Sequence, residues 1–478
     1  MYVSLLFCGI RLVDGLYGFP GRNLGVLTYT SLLLIFVIAA YVSDRSFIYN
    51  IIQMIQLVGV ITIIYSLVQL FGIDPIKWDS NEYKIIGFFG NPNFLAAFLG
   101  ILVVVTIPDI LIQNRSIQKK ILPLLVIFFS VYLIVISDSQ QGFLIIISGG
   151  FTFLYFWIKS KETLSRYIFL VIPVFLFGIL VGILDLLQKL PWKSIFYQPS
   201  ISYRGDYWRA AWKVGQEHPI FGIGFDNFIN YYRKFRDESA LNRVNSEVRV
   251  DSAHNIFLDM LSNGGFPMLV LYIVIIFYTL YIARKNTLQV QKLDLRYLSL
   301  FGAWIGFLVQ STISINMISH SILGWLISGA LIGYNLGDKL VLNQQFSKLK
   351  KIYFIILFLG TYISIKITFP LLLNDAEFKT AFLTADVIRM EKLALRPPIH
   401  SERIYTIAST LRLNGYPLEA LRVSKKGILI YPSSIDIWSE IYNNPLSNSL
   451  DKSKAIKVLR SQDTLNSKWG LVQNNIEK

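Results

Sequence analysis

Tyr203-Arg-Gly-Asp-Tyr-Trp-Arg-Ala-Ala-Trp212, His218-Pro-Ile-Phe-Gly-Ile-Gly-Phe225 and Val250-Asp-Ser-Ala-His-Asn-Ile-Phe-Leu258 are three pieces of one polar stretch, residues 191–265, set between hydrophobic runs. Nearly everything before it, and residues 267–372 after it, is apolar enough to sit in a bilayer. Arginines and a histidine gathered between such runs need a reason to be there. They point to a reaction centre on a membrane frame, acting on a negatively charged, lipid-carried substrate.

Composition agrees with the membrane frame. The 478 residues are 54% hydrophobic and 16% charged, with a mean hydropathy of +0.51, too little polar surface for a soluble enzyme of this size. The single cysteine, Cys8, excludes a disulfide framework and a cysteine-rich metal site. Eleven apolar runs stand out, at 1–17, 25–42, 51–72, 94–112, 121–137, 142–158, 167–187, 267–283, 297–316, 319–337 and 352–372. They predict about 11 transmembrane helices in an all-α polytopic protein. The first run has no small-residue cleavage site and reads as a membrane helix rather than a removed signal peptide.

Charge sets the orientation. Alternate loops carry Arg45; Arg115, Lys119 and Lys120; Lys159, Lys161 and Arg166; Arg284, Lys285, Lys292 and Arg296; Lys339, Lys348, Lys350 and Lys351. Against these fifteen basic residues stand four acidic ones, whereas 191–253 holds nine basic and seven acidic. The positive-inside rule therefore puts the Lys-rich loops in the cytoplasm and 191–265 outside, with the C-terminal region. The net charge of +15 is largely this topology signal, and a nucleic-acid partner drops out.

The chain divides into membrane helices over 1–190, an extracytoplasmic loop domain over 191–265, membrane helices over 266–372, and a soluble helical domain over 373–478. In the last, Ala408, Leu411, Gly415, Ala420 and Pro432 stand at tetratricopeptide (TPR) offsets. The alanines let two helices approach, and Asn414-Gly415-Tyr416 makes the turn. Support or docking of a protein partner is its expected role.

Four polar groups carry candidate chemistry. Asn91 and Asn93 flank Pro92 ahead of a helix; they cap it, or with the first-turn amides they bind an anionic headgroup. Ser139 and Gln140 lie in a tight outer turn. Arg204, Trp208 and Trp212 recur every four residues and share a helix face, fit for an interfacial anchor or, for Arg204, a fork on phosphate oxygens; Arg209 points elsewhere. His254 opens a helical run, followed by Asn255, which orients the ring or holds an acceptor. No other histidine or cysteine lies close enough in sequence to suggest zinc. A neutral imidazole near pH 7 is a base for an attacking hydroxyl, and its ordinary pKa near 6.5 predicts an acid limb there.

Arg204 and Trp208, then His218-Pro219 with Gly222-x-Gly224-x-x-Asn227-Phe228, then Ala253-His254-Asn255 with Gly264-Gly265, resemble the O-antigen ligase and polymerase superfamily, which includes bacterial protein O-oligosaccharyltransferases. The resemblance covers about residues 20–335. It implies a GT-C-like membrane glycosyltransferase of polysaccharide biosynthesis in the cell envelope. Such an enzyme takes a glycan from undecaprenyl diphosphate on the outer side of the inner (plasma) membrane and passes it to a glycan, lipid or protein acceptor hydroxyl. Neither cofactor nor metal is implied. The family's catalytic histidine falls on His254 and its outer-loop arginine on Arg204; Asn91 and Asn93 resemble its N-terminal asparagine motif. Where the family usually has a Ser-Arg pair this chain has Ser139-Gln140, which leaves Arg209 or Arg249 to compensate. Arg22 and Gly25 match a loop that normally lies deeper in the chain. A flippase for lipid-linked oligosaccharides would need polar midspan residues and an inverted repeat, neither of which is visible. A non-catalytic envelope scaffold is the other alternative.

Overall fold

The computed structural model describes residues 1–478 apart from 77, 79–83, 113–115, 187–188, 190–198, 244–247, 290–292, 335–344, 467–468 and 470–478. The expected 190/191 boundary and the charges Arg115, Lys292 and Lys339 lie outside the described residues. Among the described residues every regular element is a helix.

The centre is Pro92–Leu111, whose apolar window is 83% buried. Asn91 starts it: Oδ1 accepts from the Asn93 amide at 2.8 Å, with Pro92 in the first turn where no amide is needed. Around it pack Arg45–Leu70, Ile117–Ile136, Gln141–Lys159 and Leu295–Ser311. Close approach needs small residues: a Cβ on Gly142 would stand 2.6 Å from the Ala96 carbonyl oxygen.

The expected eleven-span, GT-C-like architecture is not what the chain shows. Among the described residues, five helices are long and apolar enough, by length and composition, to cross a membrane: Arg45–Leu70, Pro92–Leu111, Ile117–Ile136, Gln141–Lys159 and Ile256–Leu288. They make this a membrane-associated, multi-pass protein. Residues 1–17 form two six-residue helices, Tyr2–Phe7 and Leu12–Tyr17, broken where Gly9 takes φ 77°. Val26–Val42 and Ile318–Gly333, with 17 and 16 residues, fall short of the roughly 20 needed to cross the hydrocarbon. Leu295–Ser311 also has only 17 residues, twelve of them buried in the protein, so its apolarity fits a protein core as well as lipid. Apolar composition marks both uses alike. The last expected span falls within Gln345–Leu383, whose side chains are described only in part.

Ser401–Leu413 and Pro417–Ile430 pack as a helical hairpin, with Ala408, Leu411 and Ala420 at most 1% exposed and Gly415 in the turn at φ 88°. This C-terminal layer docks on the polar stretch through Arg236 Nη2–Asp463 Oδ1 at 2.6 Å, both side chains buried, through Arg233–Asp436, and through Arg249, which meets Glu402 and Asp436.

Candidate functional site

The glycines of the polar stretch serve backbone contact. Gly222, Gly224 and Gly265 all have positive φ. The Ile223 amide donates to the Ser262 carbonyl at 2.8 Å, Gly224 to Asn263 at 3.2 Å, and Phe266 to Pro219 at 2.8 Å. A Cβ on Gly222 would lie 2.5 Å from the Asn263 carbonyl carbon, so only glycine fits. This turn clamps the loop to the kink in Ile256–Gln289 and sets where that helix begins.

His254 precedes that beginning, in the left-handed region at φ 56°, and a web of bonds holds it there. Asp259, one turn into the helix, accepts from the Ser252 hydroxyl (2.9 Å) and the Ala253 amide (2.9 Å). The His254 amide donates to Ser252 Oγ at 3.0 Å. Asn255 Oδ1 caps the helix, accepting from the Phe257 and Leu258 amides at 3.0 and 3.2 Å. His254 Nδ1 lies 3.1 Å from the Ser252 carbonyl oxygen. A carbonyl only accepts, so Nδ1 carries the proton and Nε2 keeps its lone pair. The Tyr207 ring stands 5.2 Å from the imidazole. Burial, reinforced by the Arg204 charge, lowers the His254 pKa to about 4, so the ring is neutral at pH 7.

Arg204 lies on the helix Pro199–Glu217, one turn before Trp208. It has no carboxylate or hydrogen-bond partner among the described residues; burial pushes its pKa down, with only the Tyr207 phenol acting the other way. Trp208 Nε1 is likewise buried without a hydrogen-bond partner among them, while Trp212 is 46% exposed. Arg209 is engaged by Asp206 and by Asp237, the latter at 2.6 Å, and Arg249 by Glu402 and Asp436 with its guanidinium over Tyr405.

Asn93 and Ser139 meet each other, with Ser139 Oγ donating to Asn93 Oδ1 at 2.8 Å. Gln140 precedes the helix Gln141–Lys159. Beside this pair His320 Nε2 contacts the Phe94 carbonyl at 3.0 Å. Among the described residues no hydrogen bond or ion pair joins Asn91, Asn93 or Ser139 to Arg204 or His254.

Arg22 is the residue whose place sequence reasoning missed. Its side chain is 11% exposed; Nη1 donates to the Asp251 carbonyl at 2.6 Å, and Nε stands 3.5 Å from Asp226 Oδ1. Asp226 Oδ2 accepts from the Phe19 and Leu24 amides at 2.9 and 3.1 Å, locking this N-terminal loop under the His254 loop. About two hundred residues separate the partners, and the only signal was an arginine in the short loop between two apolar runs.

The structure thus brings a neutral histidine and a guanidinium without a carboxylate partner among the described residues to one part of a multi-pass membrane chain. Among the described residues no group of three or more His, Cys, Asp or Glu side chains is placed to hold a metal ion. The O-antigen ligase family model matches residues 125–273, which include Arg204 and His254 but not Asn91, Asn93 or the C-terminal helices. The match supports membership of that superfamily and a glycan-transfer or ligase-type function in general. No curated protein and no solved structure matches the chain.

Proposed function

We propose that this protein transfers a glycan from an undecaprenyl-diphosphate-linked donor to an acceptor hydroxyl, on the outer face of the cell's inner membrane. The observation that carries the reading is the pairing of a neutral His254, whose Nε2 keeps its lone pair, with an Arg204 guanidinium that no carboxylate among the described residues neutralises. A half-buried cation without a counter-charge is a ready anion site, and a diphosphate would supply the missing charge in forked geometry. The Trp208 N–H is a further donor one turn away. In the reaction, Nε2 takes the proton of the acceptor hydroxyl as its oxygen bonds to the anomeric carbon. The bond from that carbon to the diphosphate oxygen breaks on the opposite face, its electron pair goes to the diphosphate, and configuration inverts. Arg204 stabilises the charge arriving on the leaving group. The Asn91, Asn93, Ser139 and Gln140 cluster is assigned to the donor's membrane end, and residues 373–478 to positioning the acceptor or a protein partner.

The outer placement rests on the near-balanced charge of 191–253 against the basic run Lys159, Lys161 and Arg166, and it requires the apolar helix Ile168–Leu186 to cross between them. Reporter fusions at Ala240 and at the C-terminus should both read non-cytoplasmic; a cytoplasmic signal from the Ala240 fusion would put the centre on the wrong side for this donor. The chemistry is tested by measuring donor affinity and turnover separately in His254→Ala. Turnover lost with donor still bound is expected; weakened binding with unchanged turnover at saturation would make His254 a ligand, not a base.

A further inference from the structure

Between the first residues of the chain, the polar stretch and the C-terminal helices lies a partly open cleft of about 240 Å³. Arg11, Asp14, Phe19, Tyr231, His400 and Tyr431 line it. Its volume is below the ~300–1,000 Å³ of drug-sized sites, which limits an occupant to one or two small rings. His400 is 5% exposed, yet its Nε2 is buried with no hydrogen-bond partner among the described residues, and so is Arg11 Nη1. Such atoms are costly unless something fills the space between them.

The chemistry of the lining selects the occupant. Arg11 is not an open cation: Nη1 faces Asp14 Oδ2 at 3.9 Å, and the guanidinium lies 4.6 Å over the Tyr431 ring. Asp14 in turn accepts from the Tyr431 hydroxyl at 2.7 Å and faces His400 Nδ1 at 3.7 Å. The nearby carboxylate favours the tautomer with the proton on Nδ1, in which Nε2 presents a lone pair. Arg11 Nη1 presents a proton. A hydroxyl, which both gives and takes, satisfies the two together; the acceptor oxygens of a phosphate could serve only the Arg11 proton. Phe19 and Tyr231 supply apolar faces on which the C–H face of a pyranose can lie. Burial holds the His400 pKa at about 4, so no positive charge arises there near neutrality. Side-chain contacts link the cleft to the reaction centre: Asp226 lines it, and the same carboxylate faces Arg22, whose other contact is Asp251 in the His254 loop.

We propose that this cleft is a carbohydrate subsite, holding one or two uncharged, hydroxyl-rich sugar rings of the glycan handled at the His254 centre. The proposal rests on the glycan-transfer reading, but binding is read without turnover, so the two fail separately. Detergent-solubilised full-length protein is tested by saturation-transfer NMR against neutral hexose and N-acetylhexosamine di- and trisaccharides, with inorganic pyrophosphate as competitor. At least one sugar should give a signal that survives in His254→Ala and is not displaced by pyrophosphate. His400→Leu should weaken it at least tenfold. Ser433→Trp, on the exposed rim, should block it without removing any contact, which covers the case in which His400→Leu fails to fold. A bound sugar that competes with acceptor in the transfer assay assigns the cleft to the acceptor glycan; one that competes with donor assigns it to the transferred glycan. No sugar signal in wild type, a signal unchanged in Ser433→Trp, or displacement by pyrophosphate overturns the proposal and leaves a cleft filled by water. If sugar binds and no transfer is ever seen, the subsite stands and the glycan-transfer reading falls.

Discussion

The arginines of the polar stretch fall into two groups that use the same side chain in opposite ways. Toward the C-terminal helices, Arg233, Arg236 and Arg249 each meet a carboxylate, and their charge is spent holding two layers together. Beside His254, Arg204 meets none among the described residues, and its charge reaches the imidazole instead. Residue type therefore does not separate structural from functional arginines here. Pairing does, because a guanidinium already matched to a carboxylate has little field left for a ligand.

The largest effect that would sharpen this contrast comes from the base. His254→Ala should lower turnover by about 10²–10⁴. His254→Asn should do the same, and because asparagine tolerates the left-handed backbone it separates lost chemistry from lost conformation. The pH dependence adds a sign. The base works only when neutral, and burial puts its pKa at about 4, so kcat/KM should stay level from pH 8 to 5 and fall as pH drops through about 4. This replaces the limb near 6.5 expected from an ordinary imidazole. A bound diphosphate would offset Arg204 and raise the histidine's pKa, so the limb in kcat should lie at higher pH than that in kcat/KM. A kcat/KM limb at 6.5 would mean that the ring is neither buried nor under the influence of Arg204.

Next comes the paired group. Arg236 and Asp463 are 2% and 0% exposed at their side chains, and removing one member of a buried pair strands the other. Arg236→Ala should cost about 3–5 kcal/mol of stability, visible as a lowered Tm, with per-molecule turnover of the folded fraction unchanged. A loss of turnover without a loss of stability would erase the distinction between the two groups. Arg204→Lys should do the reverse. It keeps the charge and loses the fork, and at about 1.5–3 kcal/mol for hydrogen bonds to a charged group turnover should fall roughly ten- to a hundredfold with Tm little changed. Near wild-type turnover would make Arg204 an interfacial anchor.

Parts of this were legible in the sequence for physical reasons. Asn91-Pro92 read as a helix start because capping is local chemistry, and Asn91 caps in the structure, whereas Asn255, expected to orient the ring or hold an acceptor, spends its Oδ1 on capping the helix that follows. Ala408, Leu411 and Gly415 read as packing and turn residues because helix–helix approach and positive φ demand small side chains. The span count was not legible. Leu295–Ser311 is short and mostly buried in the protein, and 1–17 is apolar yet broken at Gly9, so hydropathy alone read both as membrane crossings. Nor was Arg22 placed, since its bond to Asp251 and its approach to Asp226 close over two hundred residues.

The smallest predicted effect concerns Arg209, a candidate to stand in for the arginine that this chain replaces with Gln140. Its guanidinium is shared between Asp206, Asp237 and the Ser239 hydroxyl, and its side chain is 47% exposed. Exposed pairs contribute about 0–1 kcal/mol, and a guanidinium facing two carboxylates offers a diphosphate little net attraction. Arg209→Ala should therefore shift Tm by no more than a few degrees and leave both donor affinity and turnover within about threefold of wild type. The informative companion is Asp237→Asn, which loosens Arg209 and Lys213 together. If Arg209 had a reserve role in holding donor, freeing it should tighten donor binding, and Arg209→Ala in that background should reverse the gain. A drop in turnover for Arg209→Ala as large as that for Arg204→Lys would place it with the unpaired group despite its carboxylates, and pairing would no longer tell the two kinds of arginine apart.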